Sequence, residues 1–346
     1  MSKLTKALTA AAGNAGESLY VEDVFSTYLY DGTGAAHTIT NGIDLDGEGG
    51  LTWIKTRNTG TSAWHSLSDT ERGAGYILRS DLTNAQNFDT AEFTSFNSDG
   101  FTVGNDAQTN GSGRTYASWT FRKAEKFFDV VTYTGNGVAG RTVAHNLGST
   151  PAVMIFKRTD ASSGNWPVYV SALGATEVLR LNITNASFTS SDYFNDTTPT
   201  DSVFTVGNSS NINASGGTYV AYLFASDAGG FGDDGSENII KCGSYTGNGS
   251  ADGPTINCGF EPQWLLIKNT SDGGNWVLMD AMRGMPVGDE ATVLLPNTNG
   301  DESGYANLWG VDLQATGFKV NVSQIQINES GGTMVYIAIR RPMKTP

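Results

Sequence analysis

An aspartate followed three residues later by an arginine and then a glycine occurs twice in this chain, as Asp69-Thr-Glu-Arg72-Gly73 and Asp280-Ala-Met-Arg283-Gly284. A carboxylate and a guanidinium at this spacing can pair across a turn, in the best case through two parallel hydrogen bonds. The pair reads either as a structural salt bridge or as a polar contact for a ligand. Trp64, Trp166 and Trp276 open the stretches that precede these turns. An exposed indole can stack on a sugar ring, but apolar neighbours such as Trp166-Pro-Val-Tyr-Val and Trp276-Val-Leu-Met predict core aromatics. Asp44-Leu-Asp-Gly-Glu-Gly49 alternates oxygen ligands as a calcium loop does, yet Lys55 stands at the twelfth position, where a carboxylate is needed. His37, His65 and His145 never fall at metal-ligand spacing. No Gly-x-Ser-x-Gly turn marks a nucleophile. The expectation is a protein that is not an enzyme and uses no metal or cofactor. Cys242 and Cys258 flank one turn and read either as a disulfide across it or as two free thiols.

These residues recur because the chain repeats. Ser215-Gly-Gly-Thr-Tyr-Val-Ala-Tyr-Leu-Phe224 matches Ser112-Gly-Arg-Thr-Tyr-Ala-Ser-Trp-Thr-Phe121 and Ser330-Gly-Gly-Thr-Met-Val-Tyr-Ile-Ala-Ile339. A Tyr-x-Gly-x-Gly opening begins at Tyr30, Tyr133 and Tyr245; apolar strands end in Lys55, Lys157 and Lys268; a Phe-x-Val strand follows at Phe101, Phe204 and Phe318. Landmarks in fixed order at about hundred-residue intervals predict one unit in triplicate. Short apolar runs with turn clusters about every ten residues predict antiparallel strands. The expected fold is all-β: three tandem antiparallel β-sandwich repeats, jelly-roll or lectin-like, over residues 25–127, 128–235 and 236–346. Residues 1–24 are expected to form an N-terminal anchor, with a short helix over Ser2–Ala12. Its apolar face, Leu4, Ala7, Leu8 and Ala11, together with Tyr20, Val24 and Phe25, is the expected docking surface. A helix this short needs a surface to pack on.

Composition narrows the partners. A formal net charge of −14 over 346 residues argues against nucleic acid and anionic membranes, both of which need basic patches. No apolar run approaches the ~20 residues of a membrane-spanning helix.

Four stretches resemble tail-fibre-like virion proteins of tailed, mostly marine, phages that carry tandem lectin-like β-sandwich repeats: Tyr20-Val-Glu-Asp-Val-Phe-Ser-Thr-Tyr-Leu-Tyr30, Ile43-Asp-Leu-Asp-Gly-Glu-Gly-Gly-Leu-Thr-Trp-Ile-Lys55, Glu71-Arg-Gly73 and Phe96-Asn-Ser-Asp-Gly-Phe-Thr-Val-Gly104. The resemblance covers nearly the whole chain and is sharpest from Tyr20 to Phe121. It implies a virion component, assembled in the host cytoplasm, at the tail. Other virion proteins would be its partners, with a homo-oligomer (a trimer by analogy) and a host-surface glycan as a possible ligand. A capsid decoration or a collar or tail-ring part is the alternative, and a glycan-degrading enzyme a further one, which would need paired carboxylates in a cleft.

Overall fold

Gly50–Thr56 is buried along its whole length. Pro262–Asn269 is buried except at Gln263, and Val153–Arg158 up to its last residue. A strand with one solvated face alternates buried and exposed side chains; burial without alternation means that both faces are covered. The computed structural model, which describes residues 18–57, 63–285, 291–302 and 310–344, shows what covers them. The fold is all-β, built from antiparallel sheets.

One strand order recurs three times. Phe25–Asp31, Thr115–Arg122, Gly50–Thr56 and Ser66–Asp69 lie side by side in that order. The same order holds for Phe128–Thr134, Thr218–Phe224, Val153–Arg158 and Pro167–Val170, and for Ile240–Thr246, Thr333–Arg340, Pro262–Asn269 and Val277–Asp280. Register agrees as well: Thr115, Thr218 and Thr333 pair with Asp31, Thr134 and Thr246, at the same end of each opening strand. A small sheet covers the outer face of each main one, giving sandwich-like layers. Ile54 and Tyr116 meet Ile39, Phe101 and Val103 in one apolar cluster. Ile267 and Tyr336 meet Ile256 and Phe318 in another.

The inner faces pack on one another. Leu51, Trp53, Trp119 and Phe121 of the first main sheet share one cluster with Val153, Ile155, Tyr222 and Phe224 of the second and Trp264, Leu266, Ile337 and Ile339 of the third. The Phe121 ring centroid lies 5.7 Å from those of both Phe224 and Trp264. Each unit therefore supplies one wall of a common core. At roughly 1.5–3 kcal/mol per large apolar side chain buried, this shared core contributes to the stability of every unit.

The sequence landmarks are spent on this scaffold. The hydroxyls of Tyr30, Tyr133 and Tyr245 donate to the carbonyls of Thr109, Ile212 and Ile327, at 2.7, 2.8 and 2.7 Å. Those carbonyls sit in four-residue helical turns, Ala107–Asn110, Ser210–Asn213 and Ile325–Asn328, which end in a buried asparagine. Each asparagine accepts from the backbone N–H of Thr33, Asn136 or Asn248 in the opening turn. Gly32, Gly135 and Gly247 are glycine for a matching reason: a Cβ there would lie 2.1–2.3 Å from the carbonyl oxygens of Gly111, Ala214 and Glu329. An all-β reading of the units leaves these helical turns out. These turns are too short to carry an apolar period.

Several expectations are corrected. Val24 and Phe25 are core residues, not a docking surface: Val24 is buried, and Phe25 packs on Phe121 and Trp264. Phe25–Asp31 is the first strand of the first main sheet. Tyr20 is half-buried; its hydroxyl donates to Asp233, and the Lys344 ammonium lies over its ring. Leu4, Ala7, Leu8, Ala11 and the helix Ser2–Ala12 lie outside the described residues. The Gly/Asp-rich stretch after Asp227, between the second and third units, is fastened to the core: Phe231 is buried against Phe127. Cys242 and Cys258 are free thiols on opposite faces of the third sheet, one in the common core and one in the outer cluster.

The ring of sheets is polar. Strands that enter a unit (Phe25, Phe128, Ile240) start at the end where the closing strands finish (Phe121, Phe224, Ile339). Inter-unit connections, Leu19 and Lys344 gather there. Met343 N–H and Lys344 N–H both donate to Glu22, and Gly232 N–H to the Leu19 carbonyl. The ends of the central strands, at Lys55, Lys157 and Lys268, lie at the opposite end of the sheets.

Candidate functional site

Asp69 and Arg72 form the pair expected from sequence, and so do Asp280 and Arg283. Nε–Oδ2 distances are 2.6 and 2.5 Å, and all four side chains are buried. Each carboxylate reaches across to a neighbouring unit. Asp69 Oδ2 accepts from the Tyr222 hydroxyl at 2.8 Å, and Asp280 Oδ2 from Trp119 Nε1 at 3.0 Å. Register makes Trp119, Tyr222 and Ile337 equivalent, as it does Asp69, Val170 and Asp280. The middle unit has an apolar version of the same corner: Val170 and Ile337 line a void of about 10 Å³. These ion pairs are seams between units, closed to a ligand.

The three strand-ending lysines mark the seams at the other end. Lys157 Nζ donates to the carbonyls of Gly164 and, in the first unit, Thr83, at 2.6 and 2.8 Å. Lys268 Nζ does the same to Gly274 and Thr184, at 2.7 and 3.0 Å. Lys55 Nζ reaches Ala63 at 2.9 Å and Asn299 of the third unit at 3.4 Å. The units thus close head to tail, first to second, second to third and third back to first. Burial lowers all three ammonium groups to about 8.

Beside each lysine, two units carry inert groups and one does not. Trp166 Nε1 donates to the carbonyls of Arg79 and Leu82, and Trp276 Nε1 to that of Arg180, across their seams. Strand register places neither Trp64 but His65 at the equivalent point, opposite Lys55. His65 Nε2 meets the Leu295 carbonyl at 3.1 Å. Its Nδ1 accepts from Trp53 Nε1 at 2.9 Å, so Nε2 carries the proton of a neutral ring. Burial holds this imidazole well below its usual pKa, helped by Lys55 and, more weakly, by Arg283 and Arg79.

The outer layer breaks the pattern further. Asn182 accepts from Trp166 N–H and donates to Asn165, both within 3.0 Å. Asn297 repeats this with Trp276 N–H and Asn275, at 2.9 and 2.7 Å. In the first unit Asp81 stands for the inner asparagine and Trp64 for the outer. Asp81 Oδ1 accepts from His65 N–H at 3.3 Å. The amide pair cannot form, and Trp64 turns out to 39% exposure. The Arg79 guanidinium, fixed by two 2.6 Å contacts to Glu92, lies 5.6 Å from the Trp64 ring. Burial raises the Asp81 carboxyl to about 6, against the pull of the His65 N–H, Lys55 and Arg79. Perturbed groups gathered beside an exposed aromatic are a candidate site in themselves.

A larger cavity of about 520 Å³ lies at the end where the connections gather, lined by Leu19, Arg122, Lys123, Glu125, Lys126 and Asp129 among others. Several of its charges are paired: Lys123 lies 2.6 Å from Glu71 and 3.5 Å from Asp129, and Arg122 lies 3.3 Å from Glu48. Asp44, in the stretch that resembled a calcium loop, caps the turn Leu45–Glu48, its Oδ1 accepting from Gly47 N–H. Among the described residues no group of three or more His, Cys, Asp or Glu is placed to hold a metal ion.

Sequence reasoning singled out Trp64 but paired it with the wrong tryptophans, and it missed Asp81. The spacing held the signal: His65 precedes Asp69 by four residues, as Trp276 precedes Asp280, whereas Trp64 precedes it by five. A family model described as Domain of unknown function (DUF7483) matches residues 21–342, and the chain belongs to that family. No curated protein and no solved structure matches the chain.

Proposed function

We propose that this protein is a non-enzymatic structural component of a tailed-phage virion, a tail appendage held at the end where Leu19, Lys344 and the inter-unit connections gather and offering the opposite end to host-surface glycans. The observation that carries the reading is the Trp64–Asp81 corner. Two of three equivalent positions keep an inert amide pair, and the third replaces it with an exposed indole beside a carboxylate. Aromatic faces and hydroxyl acceptors suit sugars, and loops on a rigid scaffold are where recognition groups concentrate. The resemblance of the Tyr20–Phe121 region to tail-fibre-like proteins supports the virion setting. The polarity of the ring supports attachment at one end and recognition at the other. In this reading three sheets already surround one core within a single chain, and a homo-oligomer would multiply weak contacts through avidity.

The test is removal of residues 1–17, which leaves the buried Val21 and Val24 in place. The shortened protein should keep its β-sheet circular dichroism and fail to join phage particles in a complementation assay. Normal incorporation would show that the attachment surface lies elsewhere. Release of oligosaccharide from host polysaccharide by the purified protein would overturn the non-enzymatic reading.

A further inference from the structure

We infer that the ligand taken at the Trp64–Asp81 corner is a neutral or amine-bearing sugar and not an acidic one. This rests on the reading of that end as a glycan-recognition surface. The argument is a census of charge. Arg79 is committed to Glu92 through two 2.6 Å contacts and to Ser66 Oγ through a third. Arg57 is committed to both oxygens of Glu302, at 3.0 Å each. Lys55 is spent on the Ala63 and Asn299 carbonyls. Among the described residues, these three cations at the corner are thus already engaged. Asp81 is the reverse case. Its Oδ1 takes the His65 N–H in a long, 3.3 Å contact, and a carboxylate with about four acceptor sites keeps capacity for more donors. A carboxylate accepts only, so it selects hydroxyl or ammonium donors. The exposed Trp64 face, held from behind by Arg79 at 5.6 Å, offers an apolar platform for a pyranose ring. An acidic sugar stacked there would bring its carboxylate toward Asp81, and the chain's net charge of −14 would add repulsion at longer range.

The decisive variant is Trp64→Asn with Asp81→Asn, which copies the Asn165–Asn182 and Asn275–Asn297 pairs and so keeps the fold. Binding of the full chain is measured by calorimetry to a panel of neutral host-type oligosaccharides, a chitosan oligomer and oligogalacturonate. The expected result is binding to a neutral glycan or to chitosan, at least tenfold weaker in the double variant, with oligogalacturonate the poorest ligand. Equal or tighter binding of oligogalacturonate would overturn the ligand class. Undiminished binding by a folded double variant would overturn the site while leaving glycan recognition standing. No binding to any of the probes would overturn the recognition reading itself, and this inference with it.

Discussion

Asp81→Asn should stabilise the protein at neutral pH. Two of the three equivalent positions already hold asparagine, so the substitution fits the fold. The carboxyl, ordinarily at 3.8, is raised to about 6, chiefly by burial. At about 1.36 kcal/mol per pH unit, the ionised form weighs roughly 3 kcal/mol against the folded state. Asp81 keeps some contact with solvent, and screening there reduces the figure to roughly 1–2 kcal/mol. The sign follows from proton linkage. Between pH 3.8 and about 6 the folded chain holds a proton that the unfolded chain has lost, so the penalty is absent below 3.8 and complete above 6. Urea unfolding, followed by tryptophan fluorescence at pH 7 and pH 4, reads this directly. The shared core favours one cooperative transition. The variant should gain roughly 1–2 kcal/mol at pH 7 and little at pH 4. A loss at pH 7, or an equal gain at both, would refute the charge argument and leave Asp81 as an ordinary loop residue.

The seams give three further predictions. Asp69→Val should cost about 3–5 kcal/mol, because it strands the buried Arg72; adding Arg72→Leu and Tyr222→Phe, which imitates the apolar Val170–Ile337 corner, should recover most of that in the same urea assay. Lys157 is held at about 8 by burial, with Arg158 beside it, so the unfolded chain binds more protons between pH 8 and 10.5 and the lysine's contribution to stability rises across that window; Lys157→Met, compared with the unsubstituted chain from pH 7 to 10, should make the rise shallower, leaving the shares of Lys55 and Lys268, and parallel curves would refute it. His65 stays neutral well below its usual pKa, so in the Asp81→Asn background stability should fall as pH drops below about 6.5; a flat profile from pH 7 to 5 would show that the seam tolerates the charged ring.

Much of the scaffold was legible because the scaffold is what repeats. Tyr30, Tyr133 and Tyr245, the glycines two residues after each, and the Ser-Gly turns at 112, 215 and 330 meet through one helical turn per unit, so their spacing had little freedom to drift. The closure of three units on one core was not legible. Both faces of a central strand such as Gly50–Thr56 are buried whether the second face meets a small outer sheet or another unit, and periodicity reports burial, not the neighbour. Nor could the sequence say that Asp69–Arg72 seals a seam. Its partner Tyr222 lies 153 residues away, and its equivalent, Val170 with Ile337, shares no chemistry with it.

The candidate site was hidden by the same symmetry that reveals it. Aligning tryptophan with tryptophan matched an exposed residue to two buried ones and concealed His65 and Asp81 as substitutions. Register aligns by hydrogen bonds, and then the differences between units carry the information. A position that is Trp, Trp and His, or Asn, Asn and Asp, is free of the constraint that holds the others alike. It is also where the third unit meets the first, the seam that no chain connection bridges. Trp166 and Trp276 hold their seams with an indole N–H that cannot titrate; His65 holds this one with a ring that can. Stability at that seam is therefore the most sensitive to acid of the three, and it lies directly beneath the Trp64–Asp81 corner. A ligand that orders the corner should then protect the His65 seam against acid, a coupling that follows from their shared hydrogen bond between Asp81 and His65 N–H.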